Sequence, residues 1–500
     1  MTVHPIRAAA VRVRTRFLLI HARTLYANRL YDTACDFCAG ILMASPNNYE
    51  AHVLYGRTLI ALDQHEEALA VFDNLMAFRP NENDVAHYSG VALANLKRYP
   101  EAIERFDVAL RLKPKSAGTL YQKGQALYDL KRYNEAVECF DRALTLNPGN
   151  TSAWHMQGWS LHQLKDYEGA IVSYQNALTI RPDLSMTWNN LGFAHFCLGH
   201  FDEARYGYEQ ALRYNRWNLK ALSNRAYLLH VLGRPADARQ ARQEALEAAD
   251  DLIARNPSNF DAIRTRIQML SALERYGEAL ELSQWLVDRR PEDATTWTIT
   301  GLAWLRAKRF RSAVIAYDRS LALDATKIWS WNNKAAALIR LGEHEAALEC
   351  IGHAVAFELN DGILWVNRGE ALYHLRSYDE ALEALAKARQ DKTVNHSGAW
   401  TYTGRTYTKL GRYDEALAAL KEAVEADPEH AEGWAASAEL FLALGRYDEA
   451  MKAVERALTL DPELVLAWRV KAQTLEAMGR AEEATAATAR ANKLDAEQKG

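Results

Sequence analysis

Apolar residues recur along this chain in blocks of about a dozen, spaced so that they fall on one side of a helix. The stretch WNNLGFAHF (188–196) shows the arrangement. Trp188, Leu191, Gly192 and His195 share one side, while Asn189, Asn190, Phe193 and Phe196 project mainly from the other. The blocks come in pairs joined by a short turn such as GRYDEA (411–416). There Gly411 can adopt the left-handed conformation that ends one helix, and Asp414 and Glu415 favour the positive start of the next.

The pairs repeat at a fixed interval. Prolines at 46, 80, 114, 148 and 182 stand 34 residues apart, and 257/291 and 428/462 keep the same step. An alanine marks the phase more completely: 34, 68, 102, 136, 170, 204 and 238, then 279, 313, 347 and 381, then 416, 450 and 484. This is fourteen copies with two breaks, of seven residues and of one. Tryptophan recurs at the entry to a unit in Trp154, Trp188, Trp297, Trp331, Trp365, Trp400, Trp434 and Trp468. The small alanine lets paired helices approach closely, and proline stops the second helix and sets up the next unit. One such pair cannot bury its apolar side alone, so each must stack on its neighbours.

A 34-residue unit with this punctuation resembles the tetratricopeptide repeat (TPR), and Trp188, Leu191, Gly192, Ala204 and Tyr208 carry the resemblance in one copy. It covers the chain from about residue 15 onward. It implies an all-α fold, a right-handed superhelical α-solenoid of about fourteen repeats, with the first helix of each pair lining the concave wall. Arg216, Ala325, Leu359 and Thr393 stand where proline is expected, so those helix ends are expected to run on more continuously.

The seven-residue break lies in ADARQARQEALEAADDLIARN (236–256), which lacks Gly and Pro and is rich in helix formers. Seven residues is close to two helical turns, so an elongated second helix keeps its buried stripe in phase. This predicts two halves: repeats 1–7 over 1–258, and repeats 8–14 over 259–500 with a polar-sided capping helix at the end.

Stacking does not require large rings on the concave wall, yet they recur there. Trp159, Phe193 and Tyr227 form one column at the 34-residue step, and Tyr128, His162, Phe196 and His230 form a second. Tyr121 and His155 extend the wall. Rigid aromatic area of this kind suits an extended chain. Asn190 and Asn224, one repeat apart, and Asn333 and Asn367, again one repeat apart, form an amide ladder, with Asn189 beside it. An amide offers both acceptor and donor to a peptide unit. This ladder resembles that of the TPR superhelix of O-linked N-acetylglucosamine transferases, which binds polypeptide backbone, although Thr265 and Ile299 interrupt it. The Lys/Asn/Arg clamp of carboxylate-binding TPR proteins is not matched; Lys220, Asn224 and Arg264 come nearest, in the wrong order.

A net charge of -4 over 500 residues implies no global pull toward nucleic acid or membrane, and no apolar run reaches bilayer length. Charge is uneven: residues 1–31 hold six arginines and no acid, whereas 411–500 is net acidic. The basic start reads as a surface of the first helix pair, and opposite ends could join head to tail as a self-assembling subunit. Five sparse cysteines, including Cys35 and Cys38, read as packing residues of a protein in a reducing, cytoplasmic setting. No nucleotide-binding loop, zinc-protease motif or nucleophile elbow occurs. His155, His162 and His230 supply no well-placed third metal ligand. The expectation is a non-catalytic scaffold without cofactor that binds a protein or peptide, or a substrate-recruiting adaptor for a separate transferase.

Overall fold

The structure is a computed structural model that describes residues 5–356, 361–391 and 396–499. The described residues form 28 helices, α1 (Pro5–Ala27) to α28 (Ala481–Lys499), in which odd-numbered helices open a repeat and even-numbered helices close it. From α1 to α10 and from α12 to α28, consecutive helices pack on one another, giving an all-α repeat solenoid within each unit. By compactness the chain falls into two units, Met1–Ala194 and His195–Gly500.

The phase-marking alanines sit where each pair of helices is closest: Ala34 through Ala450 have no exposed surface, and Ala484 in the last pair is 8% exposed. In seven of the repeats, a first-helix glycine receives a ring or Leu from the second helix. A Cβ added at Gly124 in α7 (Ala117–Asp129) would lie 2.7 Å from Phe140, and one at Gly301 would lie 2.6 Å from Tyr317. Glycine here is a socket for the knob of its own partner helix.

All fourteen turns within the repeats hold one residue with φ between +58° and +84°. After it, the chain closes a Schellman-type bond, as in Arg412 N–H to the Tyr407 carbonyl, 2.9 Å. Six of these residues are glycine, including Gly411; the others include Lys97, Lys131 and Arg376. The turn geometry is therefore stricter than its sequence.

The indoles explain the recurrent tryptophan. Trp154, Trp188, Trp297, Trp434 and Trp468 each donate Nε1–H to the carbonyl of the proline six residues earlier, at 2.8–3.0 Å. Trp331 does the same to Ala325, at 3.0 Å. The loss of proline does not lengthen the helices there. α12 (Phe201–Tyr214) ends before Arg216, and α18 (Phe310–Leu323) ends before Ala325. The stop is an Asx turn: Asn215 Oδ1 accepts from Trp217 N–H at 3.1 Å, and Asp324 Oδ1 from Thr326 N–H at 3.0 Å. Leu359 and Thr393 lie outside the described residues. The seven extra residues lie in α14 (Pro235–Arg255), 21 residues long against 14 in α12.

Within the C-terminal unit, ion pairs join repeats that are not neighbours. Lys308, in the ninth repeat, meets Asp461 at 3.1 Å and Glu463 at 3.5 Å, while Arg340 of the tenth meets Glu432 of the thirteenth at 2.7 Å.

Candidate functional site

In the N-terminal unit, the rings at issue lie on α7, α9 (Thr151–Gln163) and α11 (Ser185–Cys197). The twelfth residue of one first helix meets the ninth of the next. Tyr128 packs on Trp159 and His162 on Phe193, each with ring centres 5.3 Å apart. Trp159 is 37% exposed, and Tyr128, His162, Phe193 and Asn190 are half-buried. Tyr121 and His155 turn toward the second helices, against Phe140 and Tyr174. His155 Nδ1 also lies 2.9 Å from the Thr187 hydroxyl. Burial lowers the pKa of His155 and pushes that of His162 down to about 4, so both imidazoles are neutral near pH 7. Asn189, expected on the open wall, is 3% exposed and donates to Asn190 Oδ1 at 3.2 Å. It supports Asn190 and does not itself line the surface.

In the C-terminal unit, Phe196 is also a correction. It is 3% exposed, packed between Phe201 and Tyr227 at 5.8 and 5.7 Å, so it backs the wall. Tyr227, on α13 (Leu219–Val231), is 40% exposed; burial first, then the charges of Asp361 and Asp391, push its phenol up to about 12. His230 is exposed and Asn224 half-buried on the same helix. Asn333 is half-buried, but Asn367 is largely buried and spends its amide on Asn332 Oδ1 at 2.8 Å. Of the later half of the amide ladder, Asn367 is thus joined internally.

A charged cluster in this unit escaped the sequence reading. Arg340 lies 3.4 Å from Glu370, which accepts from the Tyr402 hydroxyl at 2.5 Å. Arg405 pairs with Glu439 at 3.1 Å, Lys409 holds the same carboxylate at 2.6 Å, and the Arg405 guanidinium lies over Tyr373 and Tyr402. Burial acts to raise the Glu432 carboxyl, but Arg340 and other cations outweigh it and hold it at about 2. His374 stacks on His344 with ring centres 4.5 Å apart. Its pKa is pushed down to about 4, by burial first and then by Arg405. Glu370, Arg405 and Glu439 are the ninth residues of α21 (Gly362–His374), α23 (Ser397–Lys409) and α25 (Ala431–Ala443). They occupy the register of Trp159, Phe193 and Tyr227, so following that column onward would have found them.

Neutral imidazoles, phenols and amides can grip a guest through hydrogen bonds and ring contacts. Among the described residues no three His, Cys, Asp or Glu side chains converge as a metal site, and no helix is long and apolar enough to cross a membrane. The five cysteines are free thiols, and burial pushes Cys38 up to about 12.

Tetratricopeptide repeat models match residues 25–90, 117–150, 158–199, 185–216, 219–244, 265–327 and 403–465, together more than half of the chain. The chain belongs to the tetratricopeptide repeat proteins. A model described as anaphase-promoting complex, cyclosome, subunit 3 matches residues 358–423 of this TPR protein. The crystal structure of the APC/C hetero-tetramer Cut9–Hcn1 contains a chain that is 17% identical, with a TM-score of 0.69 over 97% of this chain and 98% of that one. At that identity the likeness is one of fold. MamA (19% identical, covering 35% of this chain and 94% of its own, TM-score 0.33) is also similar. So is YrrB, described as a TPR protein with an unusual peptide-binding site (18%, 38% and 95%, TM-score 0.33). No curated protein sequence matches the TPR chain. As a TPR protein it is a protein–protein interaction scaffold.

Proposed function

We propose that the protein is a non-catalytic scaffold that holds an extended polypeptide against the inner side of its first helices. The observation that carries this reading is the exposure of Trp159 and Tyr227, 37% and 40%, at the register where neighbouring Phe193 is half-buried. Large rings left open to water in a repeated column are contact area, because stacking the helices does not require them. Asn190 and Asn224 are the amides placed to take the backbone, while Tyr121, Tyr128, His155, His162, Phe196 and His230 shape or back the surface. The same reading puts the protein in the cytoplasm, in keeping with its free thiols. The test is panning of a random peptide library against the protein and against W159A/F193A/Y227A. Wild type is expected to select peptides that the triple variant fails to retain, with helicity and melting unchanged. Equal retention by the variant refutes the surface.

Self-assembly is the second reading, supported by the basic residues of 1–31 and the acidic balance of 411–500. A molar mass by light scattering that stays monomeric at low and high salt rules it out.

A further inference from the structure

In the C-terminal unit, several arginines of the first helices are matched by carboxylates. Arg264 has Asp261 and Asp293, Arg340 has Glu370 and Glu432, and Arg405 has Glu439. Arg242 and Arg306 differ from these. Arg242, from the elongated α14, reaches only the main-chain carbonyl of Ala272, at 3.3 Å. Arg306, from α17 (Ala294–Arg306), reaches only the carbonyl of Gln268, at 3.5 Å. Both carbonyls belong to the end of α15 (Phe260–Ala272), one helical turn apart, so the two side chains converge on the same short stretch from either side. Among the described residues neither has a carboxylate within ion-pair distance, and each retains donors to spare.

We propose that Arg242 and Arg306, beside His230, form an anion-recognition site that takes a side-chain carboxylate of the bound polypeptide. The proposal rests on the scaffold reading above, because α13 carries His230 together with Asn224 and Tyr227. Arg306 and His230 are exposed and Arg242 is half-buried, so a guest can reach all three. Although its side chain meets solvent, the protein crowded around Arg306 desolvates it, and this, then the charge of Arg242, lowers its pKa; burial, then the charge of Arg239, lowers that of Arg242. The positive charge here is thus offset only in part, by Glu274 beside Arg242, and a carboxylate would relieve it. Of the nearby acids, Asp427 caps a turn by accepting from Glu429 N–H at 3.0 Å, and Glu274 acts on Arg242 from beyond ion-pair distance. A planar guanidinium fork fits a carboxylate on two bonds, which an amide cannot reproduce.

The test uses two end-capped 12-residue peptides, one alternating glutamate with alanine and one alternating glutamine with alanine, titrated calorimetrically into the full chain. The glutamate peptide is expected to bind at least about tenfold tighter, and R242Q/R306Q to abolish that preference. Melting of the double variant should be unchanged or higher, since it removes two repelling charges. Failure of the glutamate peptide to bind wild type overturns the site. So does equal binding of the two peptides, or a preference that survives in R242Q/R306Q. Tyr227→Ala separates the two proposals: it should weaken both peptides alike, and if it weakens neither while the glutamate preference stands, the ring surface falls and the anion site remains.

Discussion

Glu439→Ala offers a direct measure of how far the charged cluster holds the C-terminal unit together. The side chains of Arg405 and Glu439 are only 9% and 15% exposed, so deleting the carboxylate leaves a guanidinium with its acidic partner removed and little access to water. Breaking one side of a buried pair costs about 3–5 kcal/mol. Two effects set the value near the lower end. Lys409, 43% exposed, returns to solvent, and Arg405 keeps its place over the Tyr373 and Tyr402 rings. The expected loss is therefore about 3 kcal/mol, felt locally because repeat arrays unfold in segments and not all at once. Amide hydrogen exchange resolves this: protection in α23 and α25 should fall by about two orders of magnitude, with α7 and α9 unchanged. Replacing both partners, Arg405→Met with Glu439→Met, should recover most of the loss, since two apolar groups leave no stranded charge. A single variant losing less than about 1 kcal/mol would refute the assignment, as would a double variant no better than the single.

Three further outcomes are expected. Gly124→Ala should destabilise its repeat by about 1–3 kcal/mol through collision with Phe140, whereas Gly352→Ala, inside α20 (His344–Ala356) with no atom near the new methyl, should stabilise by about 1 kcal/mol; exchange in the two helices reads both. His374 protonates more readily in the unfolded chain, where its pKa is near 6.5, than in the folded one, where it is about 4. Its contribution to stability is then full above about pH 6.5 and falls as pH drops toward 4, and His374→Gln should make the fall in melting between pH 6.5 and 4.5 shallower, leaving the share that His162 contributes. Trp331→Phe should cost about 1 kcal/mol by removing the bond to the Ala325 carbonyl, measured as faster exchange at the start of α19 (Ile328–Leu341).

The architecture was legible because the repeat writes each contact many times over. An alanine without exposed surface and an indole bonded six residues back are local devices, and their 34-residue recurrence exposes them. Arg216 and Ala325 misled because proline looked like the only stop, whereas Asn215 and Asp324 end those helices through their own side chains. The rings keep the ninth and twelfth positions of their helices, as the 34-residue step implies, but their depth was not legible. Phe196 sinks because Phe201 and Tyr227 close over it, which periodicity cannot express. Asn367 left the ladder through a partner one position off register, Asn332. The pairs Arg340–Glu432 and Lys308–Asp461 join residues 92 and 153 apart, distances set by how the C-terminal unit coils and not by the repeat.

Those two long-range pairs also bear on elasticity. A stack held only by nearest neighbours stretches like a uniform spring, each hairpin yielding a little. Where Lys308 grips Asp461 and Arg340 grips Glu432, the coil carries latches in parallel with its seams, so tension must first release them before the intervening hairpins can splay. Stretching the C-terminal unit is therefore expected to meet a small extra resistance until these pairs part, at a threshold that salt lowers.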